Sequence, residues 1–189
     1  MKIRSMTATF GKLDHARLEL GDGLNLIYAP NEGGKSTWAA FWKAMLYGID
    51  TRDRDKKGYL ADKNRYQPWS GAPMEGTMDL EWQDRDITLR RGPKGSAPFG
   101  AFSAVYTGTE EAVPGLTAAN CGELLTGVGR EVFERSAFIG SGGDLAVTAA
   151  PELERRIAAL VSSGIKYLAR NDLPSRAFML SRFIIVGRP

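Results

Sequence analysis

Apolar residues recur at roughly every second position over the first part of the chain. This period is typical of a β-strand, and it predicts a strand over Met1 to Phe10 with a hairpin partner over Ala16 to Leu20. Gly21-Asp-Gly23 follows as a turn. The next segment, Leu24 to Tyr28, is a short apolar run, which predicts a buried strand. The chain is therefore expected to begin with β-structure.

The pattern then changes to a helical period. Ser36 to Tyr47 carries its apolar residues at helical spacing and predicts a helix. Gly48 to Trp69 is polar and charged without a clear period, so we predict a long surface loop there. Loops of that length in compact domains often have a function.

Two alternating runs predict an antiparallel hairpin further along the chain. They are Thr77 to Trp82 and Ile87 to Arg91, joined by a short polar turn. The pattern also predicts a Gly/Pro-rich connector over Gly92 to Gly100 and another strand over Ala101 to Thr107. Three further segments have helical character: Cys121 to Leu125, Glu131 to Ser136, and Pro151 to Val161 with its proline in the first helical turn.

The segment between the third strand and the first helix is a motif. It reads Ala29-Pro-Asn-Glu-Gly-Gly-Lys35-Ser36, followed by Thr37. A small residue, four further residues and then Gly-Lys-Ser is the spacing of a phosphate-binding loop, although Ala29 stands where the written motif has glycine. Strand, loop and helix is also the context that this motif requires.

Each residue type in the motif suits one task in binding ATP and Mg²⁺. We predict that the Lys35 ammonium stabilises the β- and γ-phosphates as the catalytic cation, and that the Ser36 hydroxyl is the ligand of Mg²⁺. Main-chain N–H groups at the positive end of the helix are expected to hold the phosphates. The predicted nucleotide-binding residues are Asn31, Glu32, Gly33, Gly34, Lys35, Ser36 and Thr37.

The composition of the chain limits the classes of protein to which it can belong. The chain has 189 residues, 43% of them hydrophobic, which is enough for one core. Its formal charge of +3 permits contact with nucleic acid without arguing for it. The single cysteine, Cys121, excludes an internal disulfide and is read as a structural thiol. No apolar stretch approaches a membrane helix and no leader pattern stands at the N-terminus, so we expect a cytoplasmic protein without membrane contact.

Several stretches of the sequence resemble a known protein family. The run from Leu24 to Thr37, after an opening that ends in Phe10-Gly-Lys12, resembles the N-terminal ATPase lobe of the SMC, SbcC and RecF group. It is most like bacterial YhaN-like AAA-family proteins. Tyr47-Gly-Ile-Asp, Arg65-Tyr-Gln-Pro-Trp-Ser-Gly and Val132-Phe-Glu-Arg-Ser-Ala-Phe-Ile are similar to stretches that these lobes carry in the same order.

The resemblance implies a fold and a set of partners. The fold would be an α/β P-loop NTPase, the N-terminal lobe of an ABC-type head, with an antiparallel β subdomain and a C-terminal helix, over residues 1–163. Its implied role is in DNA double-strand break repair or chromosome maintenance. The candidate partners are a second ATPase lobe that supplies the signature motif and Walker B, an SbcD-type nuclease, and DNA. Without that second lobe the chain is expected to be a poor ATPase.

The sequence departs from the family pattern at two places, and both affect the expected ATPase function. Relatives place a glutamine after the strand that ends near Ile139, whereas the matching position here is Ser141, so the sensing of the γ-phosphate is in doubt. The family also continues into a charged coiled coil, but residues 164–189 show no such heptads. We expect a truncated or frameshifted product, and the alternative is a native ending that covers the sheet edge.

Other interpretations stay open beside this one. A degenerate lobe that pairs with another ATPase without binding nucleotide is the main rival, and a small P-loop kinase ranks last. Gly140 to Asp144 resembles an ABC signature, but no Walker B follows it.

The remaining candidate side chains are interpreted one by one. His15 is read as a solvated side chain. The aromatic residues that could stack on a base are Tyr59, Tyr66 and Trp69, and the cations that could contact a nucleic-acid backbone are Arg90, Arg91 and Lys94.

Overall fold

The computed structural model describes residues 1–136 and the backbone of residues 182–186. The chain divides into two compact units, one formed by Met1–Gly127 with Met179–Pro189 and the other by Val128–Phe178. The fold is mixed α/β with an antiparallel sheet, as the sequence predicts. Within the described residues, the strands are β1 (Lys2–Phe10), β2 (Leu13–Glu19), β3 (Leu24–Tyr28), β4 (Glu75–Trp82), β5 (Arg85–Lys94), β6 (Ala97–Tyr106) and β7 (Arg182–Val186). The helices are α1 (Lys35–Tyr47), α2 (Asp62–Arg65), α3 (Cys121–Thr126) and α4 (Arg130–Ser136).

Five of the strands form one antiparallel sheet in the order β2-β1-β4-β5-β6. The predicted hairpin is confirmed, with Trp82 opposite Arg85 and only Gln83 and Asp84 between them. Both turn residues have positive φ, at 53° and 60°, which gives a two-residue turn of the I′ kind that matches the twist of the strands. The predicted opening strand and its partner are β1 and β2.

One prediction for this sheet is wrong. The Gly/Pro-rich stretch from Gly92 to Gly100 is not a connector, because β5 continues to Lys94 and β6 already begins at Ala97. Only Gly95 and Ser96 form the turn, with Gly95 at a φ of +58°. Pairing with the neighbouring strand outweighs the low β-propensity of these residues.

Helix α1 packs across one face of this sheet. The rings of Phe10, Phe41 and Phe99 meet edge to face, with centroids 5.5 to 6.3 Å apart, and all three side chains are buried. The helix lies so close to β4 that a Cβ atom on Gly76 would be 2.3 Å from the Phe41 ring. The glycine is therefore required by the packing of α1 on the sheet.

The same helix also rests on α3. A Cβ atom on Gly122 would lie 2.4 Å from the Tyr47 ring, and the Tyr47 hydroxyl is 2.7 Å from the hydroxyl of Thr126. Cys121, at the start of α3, is fully buried, in agreement with its interpretation as a structural thiol.

Strand β3 belongs to a separate, two-stranded parallel sheet with β7. The predicted strand is confirmed, but its predicted burial is wrong. Leu24, Leu26 and Tyr28 point to one side and are 61 to 63% exposed. Parallel strands in α/β proteins are normally covered on both faces, which is why the apolar run favoured a buried strand.

The helices over α1, α3 and α4 agree with the sequence, and the long loop after α1 contains the short α2. Among residues 1–136 and 182–186, no helix is long and apolar enough to cross a membrane. Three predictions lie outside the described residues: the helix over Pro151 to Val161, the glycine cluster with Ser141, and the nature of the tail apart from β7.

Candidate phosphate-binding site

The predicted phosphate loop joins the end of β3 at Tyr28 to the start of α1 at Lys35. Its backbone folds into a tight turn, in which the Gly33 N–H donates to the Pro30 carbonyl at 3.0 Å. Glu32 and Gly34 both have positive φ, at 63° and 83°. A Cβ atom on Gly33 would lie 2.8 Å from the Pro30 oxygen, so this position admits only glycine without a change of the loop.

The Lys35 side chain folds back over this turn. Its ammonium donates to the carbonyl oxygens of Ala29 and Pro30, each at 2.6 Å. The cation therefore lies against the first two residues of the loop, with their carbonyl oxygens as its partners. Phosphate oxygens are stronger acceptors for an ammonium than neutral carbonyls are, so an anion in the loop would find a positive charge already in place.

The N-terminus of α1 points its free amides at the same place. The first helical bond runs from the Trp38 N–H to the Gly34 carbonyl at 2.9 Å, which leaves the N–H groups of Lys35, Ser36 and Thr37 without helical partners. Gly34 is the N-cap, no side chain caps this helix, and its first turn has no acidic residue. Both the free amides and the helix dipole favour an anion at this end.

A second cation comes from the turn between β1 and β2. The Lys12 ammonium donates to the Glu32 carbonyl at 2.6 Å and lies 5.5 Å from the centroid of the Trp69 ring. Trp69 is 75% exposed, although tryptophan is a large apolar residue. The phosphate loop thus has an ammonium and an exposed indole ring beside it.

Gly11 holds these pieces together. Its N–H donates to the Tyr66 carbonyl at 2.7 Å, and its carbonyl accepts from the Trp69 N–H at 3.0 Å. Gly11 has a φ of +57°, and a Cβ atom there would be 3.1 Å from the Thr37 methyl group. The turn at Gly11 therefore fixes the end of the long loop against the start of α1.

The three aromatic residues of the long loop have different surroundings. Tyr66 stacks on Phe10 at 4.8 Å, and burial raises the pKa of its hydroxyl. The Tyr59 hydroxyl donates to Asp53 at 2.5 Å, and this bond raises its pKa to about 12. Only Trp69 presents its ring beside the phosphate loop.

The basic residues considered for contact with nucleic acid also have different surroundings. Arg91 is 5% exposed and its guanidinium faces main-chain carbonyls, so its predicted contact with a nucleic-acid backbone is wrong. Arg90 and Lys94 are exposed. His15 is exposed beside Asp14, 2.8 Å away, as expected for a solvated side chain.

The residues present fit a nucleotide with Mg²⁺. Within the described part of the chain, no cluster of three or more His, Cys, Asp or Glu side chains could hold a metal by itself. Ser36 is exposed at the helix start. Mg²⁺ keeps several water molecules and is usually held by one or two protein oxygens together with substrate phosphates. A single hydroxyl beside a phosphate loop suits that coordination.

The sequence predicts the loop, but it does not predict that Gly11 and Lys12 lie beside it. The signal was present, because Phe10-Gly-Lys12 is a Gly-containing turn with a cation directly after a predicted strand. What the sequence does not contain is the distance from that turn to the loop. Lys12 and Glu32 are 20 positions apart in the chain.

Comparison with known proteins supports a protein class for the N-terminal region. Residues 1–67 match a family model described as an AAA domain. The match includes β1 to β3, the phosphate loop, α1 and α2, and it supports an N-terminal region of the AAA ATPase type, a class that in general uses a nucleotide and Mg²⁺. A search of curated proteins found no match to this chain.

Proposed function

We propose that this chain is the ATP-binding N-terminal lobe of an SMC/SbcC-like ATPase head, of the kind found in bacterial YhaN-like proteins. The observation that carries the proposal is the Lys35 ammonium, held inside a glycine-shaped turn that leads into the uncapped end of α1. The AAA match over residues 1–67 supports the same class.

The roles of the loop residues follow from their positions. Lys35 exchanges its two carbonyl partners for oxygens of the β- and γ-phosphates, and the N–H groups of Asn31 to Thr37 bind the remaining phosphate oxygens. Ser36 supplies the protein oxygen for Mg²⁺, the ion that neutralises the triphosphate when bound. Lys12 adds positive charge at the outer side of the turn.

Trp69 is the proposed platform for the base. Its ring is exposed, and its main chain is tied to Gly11 beside the helix start. Every nucleobase has a π-face that can stack on an indole ring. An aromatic platform of this kind binds adenine without selecting strongly for it, so specificity for ATP would come from other contacts.

Hydrolysis requires a second lobe in this proposal. The exposed apolar face of β3, formed by Leu24, Leu26 and Tyr28, supports the need for a further layer, because large contiguous apolar patches usually mark interfaces. That lobe would supply Walker B and the signature motif. The complete head would act in DNA break repair or chromosome maintenance, with DNA and an SbcD-type nuclease as its partners.

Isothermal titration of the full chain with ATP in the presence of Mg²⁺, followed by a phosphate-release assay, tests the proposal. It predicts one binding site and little turnover by the chain alone. The rival, a degenerate adaptor lobe, predicts no binding of any nucleotide. Binding accompanied by rapid turnover would contradict the requirement for a second lobe.

A further inference from the structure

Among residues 1–136, the free edge of strand β6 is covered along only part of its length. At its C-terminal half the Tyr106 N–H donates to the Glu111 carbonyl at 3.0 Å, and the Val113 N–H donates to the Ala104 carbonyl at 2.9 Å. Val105 and Ala112 form the antiparallel bridge between these bonds. The segment 111–113, here called the added strand, is thus joined to the five-stranded sheet by one isolated bridge, and the edge of β6 accepts an extended chain there.

The added strand ends because of its sequence. Pro114, which follows Val113, has no N–H to donate, and Gly115 has a φ of +78°, which turns the chain away from the sheet. The remaining half of the edge, Phe99 to Ser103, is here called the open edge. In an antiparallel ladder, alternate residues direct both backbone groups to the same side. The N–H and C=O groups of Phe102 therefore point outward with those of Ala104, and no bond to them occurs in the described part of the chain.

The two edges of the sheet differ in how they are protected. Exposed edge strands usually carry charges that prevent pairing with another chain. Strand β2, the opposite edge, carries Asp14, His15, Arg17 and Glu19, all of them exposed. The open edge has the sequence Phe-Gly-Ala-Phe-Ser and carries no charge. The uncharged open edge therefore permits the addition of a strand, whereas the charges on β2 oppose it.

Two exposed cations lie beside the open edge. Arg90 is directly opposite Ser103 in the β5–β6 register, and the Lys94 Cβ atom is 3.4 Å from the place that a Cβ atom on Gly100 would take. Neither side chain has a carboxylate partner among residues 1–136. Since adjacent strands are about 4.8 Å apart, a long arginine side chain can reach over the small Ser103 to the next strand. The chain's own covering segment begins with two acids, Glu110 and Glu111.

We propose that the open edge of β6 is a docking site for an extended acidic peptide segment of a partner protein, which adds to the sheet antiparallel to β6. Main-chain hydrogen bonds to Phe102 supply the pairing, as in other cases of strand addition. Arg90, whose neighbour Arg91 bonds to α1, lies on the opposite face of the sheet and selects for acidic residues there. Lys94 adds a second positive charge near the same edge. The site is independent of the phosphate loop and of the proposed nucleotide binding.

Amide hydrogen exchange of the full-length chain, read by NMR, provides the first test. The Tyr106 amide, bonded to Glu111, should exchange slowly, whereas the Phe102 amide should exchange at least about tenfold faster. If Phe102 is protected as strongly as Tyr106 in the free chain, the edge is already occupied and the proposal fails.

The second test is a titration with two end-blocked hexapeptides, one alternating Glu with Val and one alternating Lys with Val. The Glu peptide should shift the Phe102 amide signal in a saturable way and slow its exchange, and the Lys peptide should bind at least about fivefold more weakly. Equal binding of both peptides, or shifts confined to β2, would overturn the proposal. Concentration-dependent dimerisation that protects Phe102 without peptide would overturn it in favour of a second copy.

Charge reversal provides the matched variants. Arg90→Glu should weaken the Glu peptide about three- to tenfold and strengthen the Lys peptide. Arg17→Glu makes the same change on the opposite edge and should leave both affinities unaltered. Both positions are exposed, so the spectra of the free variants are expected to show an intact fold. An Arg90→Glu chain that binds both peptides like the wild type would contradict the role given to this cation.

Discussion

The guanidinium of Arg91 donates a hydrogen bond from Nε to the main-chain carbonyl of Met45, at 2.9 Å. A second guanidinium nitrogen lies 3.5 Å from the Leu46 carbonyl and 3.3 Å from that of Ala118. Met45 and Leu46 belong to the last turn of α1, which has no basic residue of its own. A residue of the sheet therefore caps the helix that begins at the predicted phosphate loop, and burial lowers the pKa of Arg91.

Replacing Arg91 should destabilise the chain strongly. Arg91→Met removes charge-assisted hydrogen bonds and leaves the carbonyls of the helix end without their donor, for an expected loss of about 2–4 kcal/mol in the free energy of unfolding. Urea unfolding measures this. The neighbouring Arg90→Met, at an exposed position, should change stability by less than about 0.5 kcal/mol. Similar effects for both variants would contradict the capping role.

Glycine 76 offers a test of how closely α1 lies on the sheet. Gly76→Ala would place a methyl group 2.3 Å from the Phe41 ring, and overpacking of this kind costs about 1–3 kcal/mol. Gly92 is also a strand glycine, but a Cβ atom there would be 3.9 Å from its nearest neighbour. Gly92→Ala should therefore be neutral or slightly stabilising. Thermal unfolding of the pair should separate them, and a tolerated Gly76→Ala would disprove the close packing.

Cys121 should be inert in the folded chain. Burial raises the pKa of its thiol from 9.0 to about 11, and the thiolate is the reactive form. Reaction with a thiol reagent at pH 8 should be at least about a hundredfold slower than in urea.

The same thiol should make the stability of the fold depend on pH. Because its pKa is higher in the folded chain than in the unfolded one, the stability linked to this thiol is present below pH 9.0 and is lost as pH rises toward about 11. A Cys121→Ala chain should lack that part of the pH dependence. If its free energy of unfolding falls with pH as steeply as that of the wild type, the thiol is not the cause.

Trp69 should report on the base of a bound nucleotide. Stacking of a base on an aromatic ring contributes about 1–3 kcal/mol, so Trp69→Ala should raise the Kd for MgATP by about 5- to 160-fold. Inorganic tripolyphosphate, which has no base, provides the control and should bind the variant as it binds the wild type. If the variant loses affinity for both ligands equally, Trp69 serves the structure of the loop and not the base.

Much of this fold could be predicted because its signals are local. The hairpin of β4 and β5 follows from alternation over two short runs, and α1 follows from its helical spacing. The phosphate loop stays a prediction, which the sequence supports because each of its residue types has a separate physical reason at a fixed spacing. These predictions depend only on neighbours in the sequence.

The errors concern contacts between distant segments. Glycine and proline mark turns and so predict a connector over Gly92 to Gly100, yet the pairing of β5 with β6 extends both strands into this stretch. The burial of β3 depends on what lies on its faces, and the position of Arg91 depends on where α1 ends. Lys12 and Trp69 meet only because Gly11 bonds to the far end of the long loop.

The central claim is that Lys35 binds the phosphates of a nucleotide, and thermal unfolding with and without MgATP tests it most directly. For the wild type, a ligand concentration about a hundred times the Kd should stabilise the fold by about 2.7 kcal/mol, which appears as a rise in Tm. Lys35→Ala should abolish that rise while folding normally, and Lys57→Ala, at an exposed position in the long loop, should keep it. A rise of equal size in the Lys35→Ala chain, or none in the wild type, would contradict the account.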